Sequence, residues 1–254
     1  MKKLILISLV FLAASKAINF GEETPYDSSN SEFTFSYTGN GAIFVYASGS
    51  TVNSLELKIT AENTDGKTSI NRPGEGLLIS PNSGNNFKLK FLGVNSNDKG
   101  TIWVNPSTNV LPVDLNKKYE GKFPIGEEYG INAVYKLTYK IDNAEKDATF
   151  KFNYNNQIEI QGDEWTVSNP FEVCHGTDCQ KNVVEYDFEK GQSYTIYVKM
   201  EKKVDTDLNR EIYVLPPFSF ADKNYKENAS SDDDSMYLRS SLCLISLFVF
   251  LGVF

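Results

Sequence analysis

Apolar side chains alternate with polar ones along short runs of the chain, as at Phe33, Phe35 and Tyr37, at Leu55, Leu57 and Ile59, and at Phe87, Leu89 and Phe91. A period of two belongs to a half-buried β-strand, with one face toward a core and one toward water. Turn-forming clusters separate the runs, at Thr38–Gly41, Asn63–Gly66, Pro81–Gly84 and Asn95–Gly100. Glycine, asparagine and aspartate there supply the backbone conformations that reverse a chain. No segment keeps a helical period. The pattern predicts an all-β protein whose antiparallel strands stack into sheets about 10 Å apart.

The second half of the chain repeats the order of the first. Phe33–Tyr37 matches Tyr135–Tyr139, Gly84–Phe91 matches Gly191–Val198, and Thr101–Val104 matches Glu211–Val214. The lead-in Phe20-Gly21-Glu22-Glu23 matches Phe123-Pro124-Ile125-Gly126-Glu127-Glu128. Matches spaced about 100 residues apart in constant order are those of a tandem duplication, and about 100 residues suit one β-sandwich. The expectation is two tandem antiparallel β-sandwich domains of jelly-roll or immunoglobulin-like type, over residues 18–105 and 123–226. Residues 106–122 form the linker, where Pro106 and Pro112 limit strand formation.

The opening strand Phe33–Tyr37, the Leu55–Gly66 strand ending in Asp-Gly, and the pair Gly84–Phe91 and Thr101–Val104 together resemble the pre-peptidase C-terminal domain family. The resemblance implies a small β-sandwich module of the kind appended to secreted enzymes.

Both ends carry apolar runs. Met1-Lys2-Lys3, the apolar stretch Leu4–Ala14 and Ser15-Lys16-Ala17 follow the pattern of a secretory signal peptide, residues 1–17, with cleavage after Ala17. The apolar stretch is shorter than the roughly 20 residues that span a bilayer. Residues 227–254 read as a signal for a glycosylphosphatidylinositol anchor. They contain small acceptor residues at Asn228, Ala229 and Ser230, a polar spacer Ser231–Arg239 and a terminal apolar tail from Ser240. A short tail-anchored helix is the alternative. Asn228-Ala229-Ser230 is also an N-glycosylation sequon, whereas Asn105-Pro106-Ser107 is blocked by its proline.

The formal net charge is −8, and it stays acidic once both end segments are removed. An acidic chain argues against a nucleic-acid partner, which calls for a basic face. Cys243 lies in the tail, which leaves Cys174 and Cys179, in Cys-His-Gly-Thr-Asp-Cys, as the disulfide expected of an exported chain. Zinc would need about four ligands, and His175 is the single histidine, so no metal and no cofactor is expected. Asp205-Thr206-Asp207-Leu208-Asn209 opens like a calcium loop but lacks its glycine and distal glutamate, and reads as a hairpin turn. His175 has Asp178 nearby but no Gly-x-Ser-x-Gly elbow, so no catalytic residue is assigned.

Recognition then rests on loops and exposed rings. The stretch Val167–Cys179 reads as an insertion in the second copy, and Trp165, His175 and Asp178 around it are the binding candidates, with Trp103 a further exposed-ring candidate. Together these features predict a lipid-anchored protein on the extracellular face of the plasma membrane. It would act as a binding, adhesion or coat module toward an extracellular protein or glycan. The competing readings are an exported hydrolase and a structural spacer.

Overall fold

Runs that alternate in sequence become strands because each can bury one face while its backbone pairs on both sides. The computed structural model describes residues 16–49, 56–61, 69–71, 77–79, 86–92, 94, 96–121, 125–128, 135–160, 163–205 and 210–226. Among these residues the regular structure is all β, in several sheets consistent with a β-sandwich. The chain divides into two compact units, Met1–Lys223 and Asn224–Phe254. All the described strands lie in the first. Of the second, only residues 224–226 are described, so the anchor candidates Asn228, Ala229 and Ser230 lie outside the described residues, as do the apolar stretch 4–14 and the tail.

The first nine strands are β1 (Lys16–Ala17), β2 (Glu23–Asp27), β3 (Glu32–Ser36), β4 (Ile43–Gly49), β5 (Glu56–Ala61), β6 (Ser69–Asn71), β7 (Leu77–Ile79), β8 (Asn86–Leu92) and β9 (Lys99–Pro106). They build a five-stranded sheet, β1-β3-β8-β5-β6, and a four-stranded sheet, β2-β9-β4-β7. β1 runs parallel to β3, and the other neighbours are antiparallel.

Next come β10 (Val110–Pro112), β11 (Tyr119–Gly121), β12 (Ile125–Glu128), β13 (Lys136–Ile141), β14 (Ala148–Tyr154), β15 (Gln157–Ile160) and β16 (Asp163–Thr166). The last are β17 (Phe171–His175), β18 (Asp178–Lys181), β19 (Glu185–Phe188), β20 (Tyr194–Lys199), β21 (Glu201–Asp205), β22 (Arg210–Leu215) and β23 (Phe218–Asp222). They form sheets β10-β13-β20-β17-β18, β11-β23-β14-β19 and β12-β22-β21, and the hairpin β15-β16. With β12, β15, β16, β21 and β22 set aside, the remaining nine pair in the same order as β1 to β9. Even the parallel first strand recurs, as β10 against β13.

One core cluster joins the two sheets of the first half through Phe33, Phe87, Leu89, Ile43, Ile102 and Val104. Tyr26 of β2 stacks on Phe91 of β8 across this gap, with ring centroids 4.0 Å apart. A larger cluster fills the second half, and Phe220 is its hub, with the rings of Tyr119, Tyr139, Phe150, Phe152 and Phe171 packed around it. This cluster also takes in Ala42, Phe44, Tyr46 and Leu78 from the first half. β4 therefore buries both faces: Ile43 and Val45 go to one core, Phe44 and Tyr46 to the other. The unbroken apolar run Ala42–Ala47 is the sequence mark of a strand covered on both sides.

Several sequence expectations shift. Thr101–Val104 lies on β9, whose counterpart by pairing is β23, whereas Ile212 sits on β22 between β12 and β21. The lead-in Ile125–Glu128 is β12, paired with β22, while the position of β2 is taken by β11. Residues 106–122, expected as a linker, carry β10 and β11, both paired into the second-half sheets. Phe87 and Tyr194 do occupy like positions on β8 and β20. The counterpart of Phe33, however, is Tyr139 and not Tyr135, because Lys16 pairs Phe33 as Leu111 pairs Tyr139. A shift of four residues leaves a two-residue period unchanged, so the apolar pattern could not fix this register.

Candidate functional site

Cys174 ends up opposite Cys179 because β17 and β18 are joined by a two-residue turn, Gly176-Thr177, that seats His175 against Asp178 and the cysteines one step further on. Gly176 has φ +59°, and glycine at the first turn position with positive φ followed by an ordinary residue is the requirement of a type II′ hairpin. The cysteines form a disulfide, with Cα atoms 4.0 Å apart. The Val167–Cys179 stretch is accordingly not an insertion of the second copy: β17 and β18 hold the places that β5 and β6 hold in the first sheet. Among the described residues, the segments particular to the second half are β12, β15–β16 and β21–β22.

His175 and Asp178 are exposed at the end of this hairpin. The His175 ring lies 5.0 Å from that of Tyr194. Burial, then Tyr194 and then Asp178 push the Tyr186 phenol up from its ordinary value. Trp165 belongs elsewhere. It is half-buried on β16 and packs against Ile158, Val167, Ile212 and Val214, and its buried indole Nε1 has no hydrogen-bond partner. Its ring fills space between the two added hairpins. Trp103 is also half-buried, tilted against Tyr46 at 5.1 Å between ring centroids. Asp205 pairs Arg210 across β21 and β22, which fits the hairpin reading; residues 206–209 lie outside the described set.

A group of side chains that the sequence did not point out lies on the outer face of β10-β13-β20-β17-β18. Leu137, Tyr139, Ile196, Val198 and Val173 face the core, so their alternates face out: Lys136, Thr138 and Lys140 on β13, Thr195, Tyr197 and Lys199 on β20, Glu172 and Cys174 on β17. Glu172, almost fully buried, accepts a hydrogen bond from Lys199 Nζ at 2.6 Å. Lys136 Nζ stands 3.8 Å above the Tyr197 ring centroid, and Lys199 Nζ lies 5.7 Å from it. Burial first, and then the neighbouring Lys199, lower the Lys136 ammonium from its ordinary range, while Glu172 acts in the opposite sense. Lys181 lies across from Glu172 on β18.

The equivalent face of the first half is balanced differently. Glu32 on β3 reaches both Lys88 and Lys90 of β8 at 2.6 Å each, and these contacts hold its carboxyl below the usual range. In the second half Glu172 is taken by Lys199, and Asp142, just past the end of β13, pairs with Lys140 at 2.8 Å. Among the described residues Lys136 makes a ring contact and no ion pair. Glu172 also lies with Cys174 and Cys179 in a cluster whose possible ligand atoms are within 4.8 Å of one another. Both sulfurs are bonded to each other, which leaves one carboxylate as a metal ligand, far short of a site. The signal available in the sequence was the lysine, threonine and tyrosine filling the polar positions of Lys136–Ile141 and Tyr194–Lys199.

No family model matches the chain, and no curated protein does. Among solved structures, a turret protein of Sulfolobus turreted icosahedral virus is 10% identical, covering 78% of this chain and 96% of its own, with a TM-score of 0.25. The CUB1-EGF-CUB2 domain of human MASP-1/3 is 11% identical over 80% of this chain and 94% of its own, with a TM-score of 0.22. The same domains of rat MASP-1 are 12% identical over 82% and 100%, also at 0.22. TM-scores of this size carry no argument, and none of the three is a pre-peptidase C-terminal module.

Proposed function

We propose that the chain is an exported binding or adhesion protein of the outer cell surface, made of two tandem β-sandwich domains related to the pre-peptidase C-terminal type and held to the membrane by a lipid anchor. The observation that carries this reading is the Cys174–Cys179 disulfide, because such bonds persist in oxidising compartments. The leader pattern of residues 1–17 and the small-residue, spacer and tail pattern of residues 227–254 agree with it. Support for a tandem pair comes from the shared pairing order of the two strand sets, of which the first keeps eight strands, β2 to β9, once residues 1–17 and with them β1 are removed. Binding is favoured over catalysis because, among the described residues, the best-organised polar cluster is a sheet face of paired lysines and carboxylates, with no nucleophile set against a base.

Cells expressing the protein, treated with a phospholipase specific for phosphatidylinositol, release it into the medium with Cys174 and Cys179 joined in nonreducing peptide maps. Retention on the cells together with intact tail peptides would replace the lipid anchor by a membrane helix. Free thiols at both positions would remove the case for export.

A further inference from the structure

We propose that Cys179 is a reversible thiolation site: a small thiol opens the Cys174–Cys179 bond by attack at Cys179, and Cys174, held beside Glu172, closes it again. This goes beyond the reading of the chain as a surface-binding protein and concerns the chemistry of the β17–β18 hairpin itself.

The two sulfurs of the bond stand in unlike surroundings. Cys174 is 4% exposed, on a strand that lies between β20 and β18. Its Sγ is 3.9 Å from Glu172 Oε1. Cys179 is exposed on β18, at the edge of the sheet. An incoming thiolate reaches Cys179 from solvent, whereas at Cys174 it meets a covered sulfur and a carboxylate of its own sign. The new bond joins the thiol to Cys179 Sγ as the bond between the two cysteines breaks. The electron pair goes to Cys174 Sγ, which then takes a proton from water. One disulfide replaces another, so no oxidant or reductant is consumed.

Glu172 governs both the opening and the return. A thiolate freed at Cys174 lies next to a carboxylate in a covered place, and both conditions favour its protonated form. A thiol that holds its proton tightly leaves slowly. Lys199, 2.6 Å from Glu172 Oε2, offsets part of that charge. Lys181, across from Glu172, and Asp178, beside Cys179, are exposed, where water and salt screen them. The backbone pairs Val173 with Gln180 and His175 with Asp178 flank the bond on either side. They keep Cys174 opposite Cys179 once the bond has opened. Cys174 is then the resolving thiol: it attacks Cys179 Sγ and expels the small thiol, which makes the mark reversible.

The test uses the full-length protein in detergent with its disulfide closed, an excess of reduced glutathione, and an acid quench followed by alkylation. Fragment masses place glutathione on Cys179 and the alkyl group on Cys174, roughly tenfold over the reverse. Dithiothreitol then reads the rate of opening. Glu172→Gln speeds it about threefold and Lys199→Gln slows it about threefold. A hairpin merely loosened by these substitutions would open faster in both, so opposite signs separate charge from structure. If Lys199→Gln does not fold, single-cysteine variants treated with oxidised glutathione take its place. Cys174→Ser, which keeps Cys179, is thiolated roughly tenfold faster than Cys179→Ser. Glutathione on Cys174 as often as on Cys179, no mixed disulfide at all, rates unchanged or shifted the same way in both charge variants, or equal thiolation of the single-cysteine variants would each overturn the proposal. Because the bond is closed in the starting protein, such a failure leaves the case for export intact.

Discussion

Tyr46 carries a hydroxyl that is buried without a hydrogen-bond partner, in the cluster where β4 meets the second half. Burial and the nearby Tyr139 push its phenol well above the ordinary value of 10.0. A buried polar atom with no partner costs about 1–3 kcal/mol, so Tyr46→Phe is expected to leave stability unchanged or raise it by about 1 kcal/mol in urea denaturation. Tyr46→Ala, which removes the ring, should lose about 3–5 kcal/mol. Tyr26 behaves alike toward base: burial first, then Asp98, push it up to about 12. A phenol whose folded value is raised holds its proton longer when folded than when unfolded. Its contribution is therefore complete below about pH 10 and is lost as pH rises through the folded value. Stability followed by circular dichroism should fall between about pH 10 and pH 12, and Tyr26→Phe should make that fall shallower.

The hairpin β17–β18 is stapled by the disulfide at the edge of a sheet that already holds it through β20. The closed loop is small, so Cys174→Ser with Cys179→Ser should lower stability by about 2 kcal/mol in the oxidised protein. The fold should be retained, which circular dichroism and the urea midpoint check together. Loss of the folded signal would make the bond essential to the whole unit. Much at this scale was legible beforehand. Period-two runs gave the strands β3, β8, β13 and β20, and the pair of cysteines gave the disulfide. Register was not, since Phe33 can be set against Tyr135 or Tyr139 with the same apolar face. Nor was the pairing of Ile212, because a strand inserted between homologous ones has the same composition as they do. The lysine face escaped notice because Lys136, Glu172 and Lys199 come from three strands and become neighbours only through the sheet.

The larger core cluster runs from Phe44 and Tyr46 to Phe220, so the two halves of the first unit share buried apolar surface. Cooperative unfolding of both is the physical consequence, because melting either half would expose Phe44 and Tyr46 to water. Trp103, on β9, packs against the shared cluster, and Trp165 lies in the small cluster around Ile158, Ile212 and Val214, so the two rings report on different places. Single-tryptophan variants Trp103→Phe and Trp165→Phe should show fluorescence transitions at one urea midpoint, shifted together by Phe44→Ala. Two separated midpoints would mean that the halves fold independently and that the shared cluster contributes little.

Between β9 and β10 the chain passes from one half to the other through only Ser107, Thr108 and Asn109. A pull on one half relative to the other must enter there. On one side it meets β9, gripped by β2 and β4 together. On the other it meets β10, three residues long, paired with β13 alone and seated by the single buried side chain of Leu111. Under tension the weaker grip yields first. β10 therefore acts as a mechanical fuse: it peels from β13 and lengthens the connection by a few residues while β9 keeps its place between its neighbours.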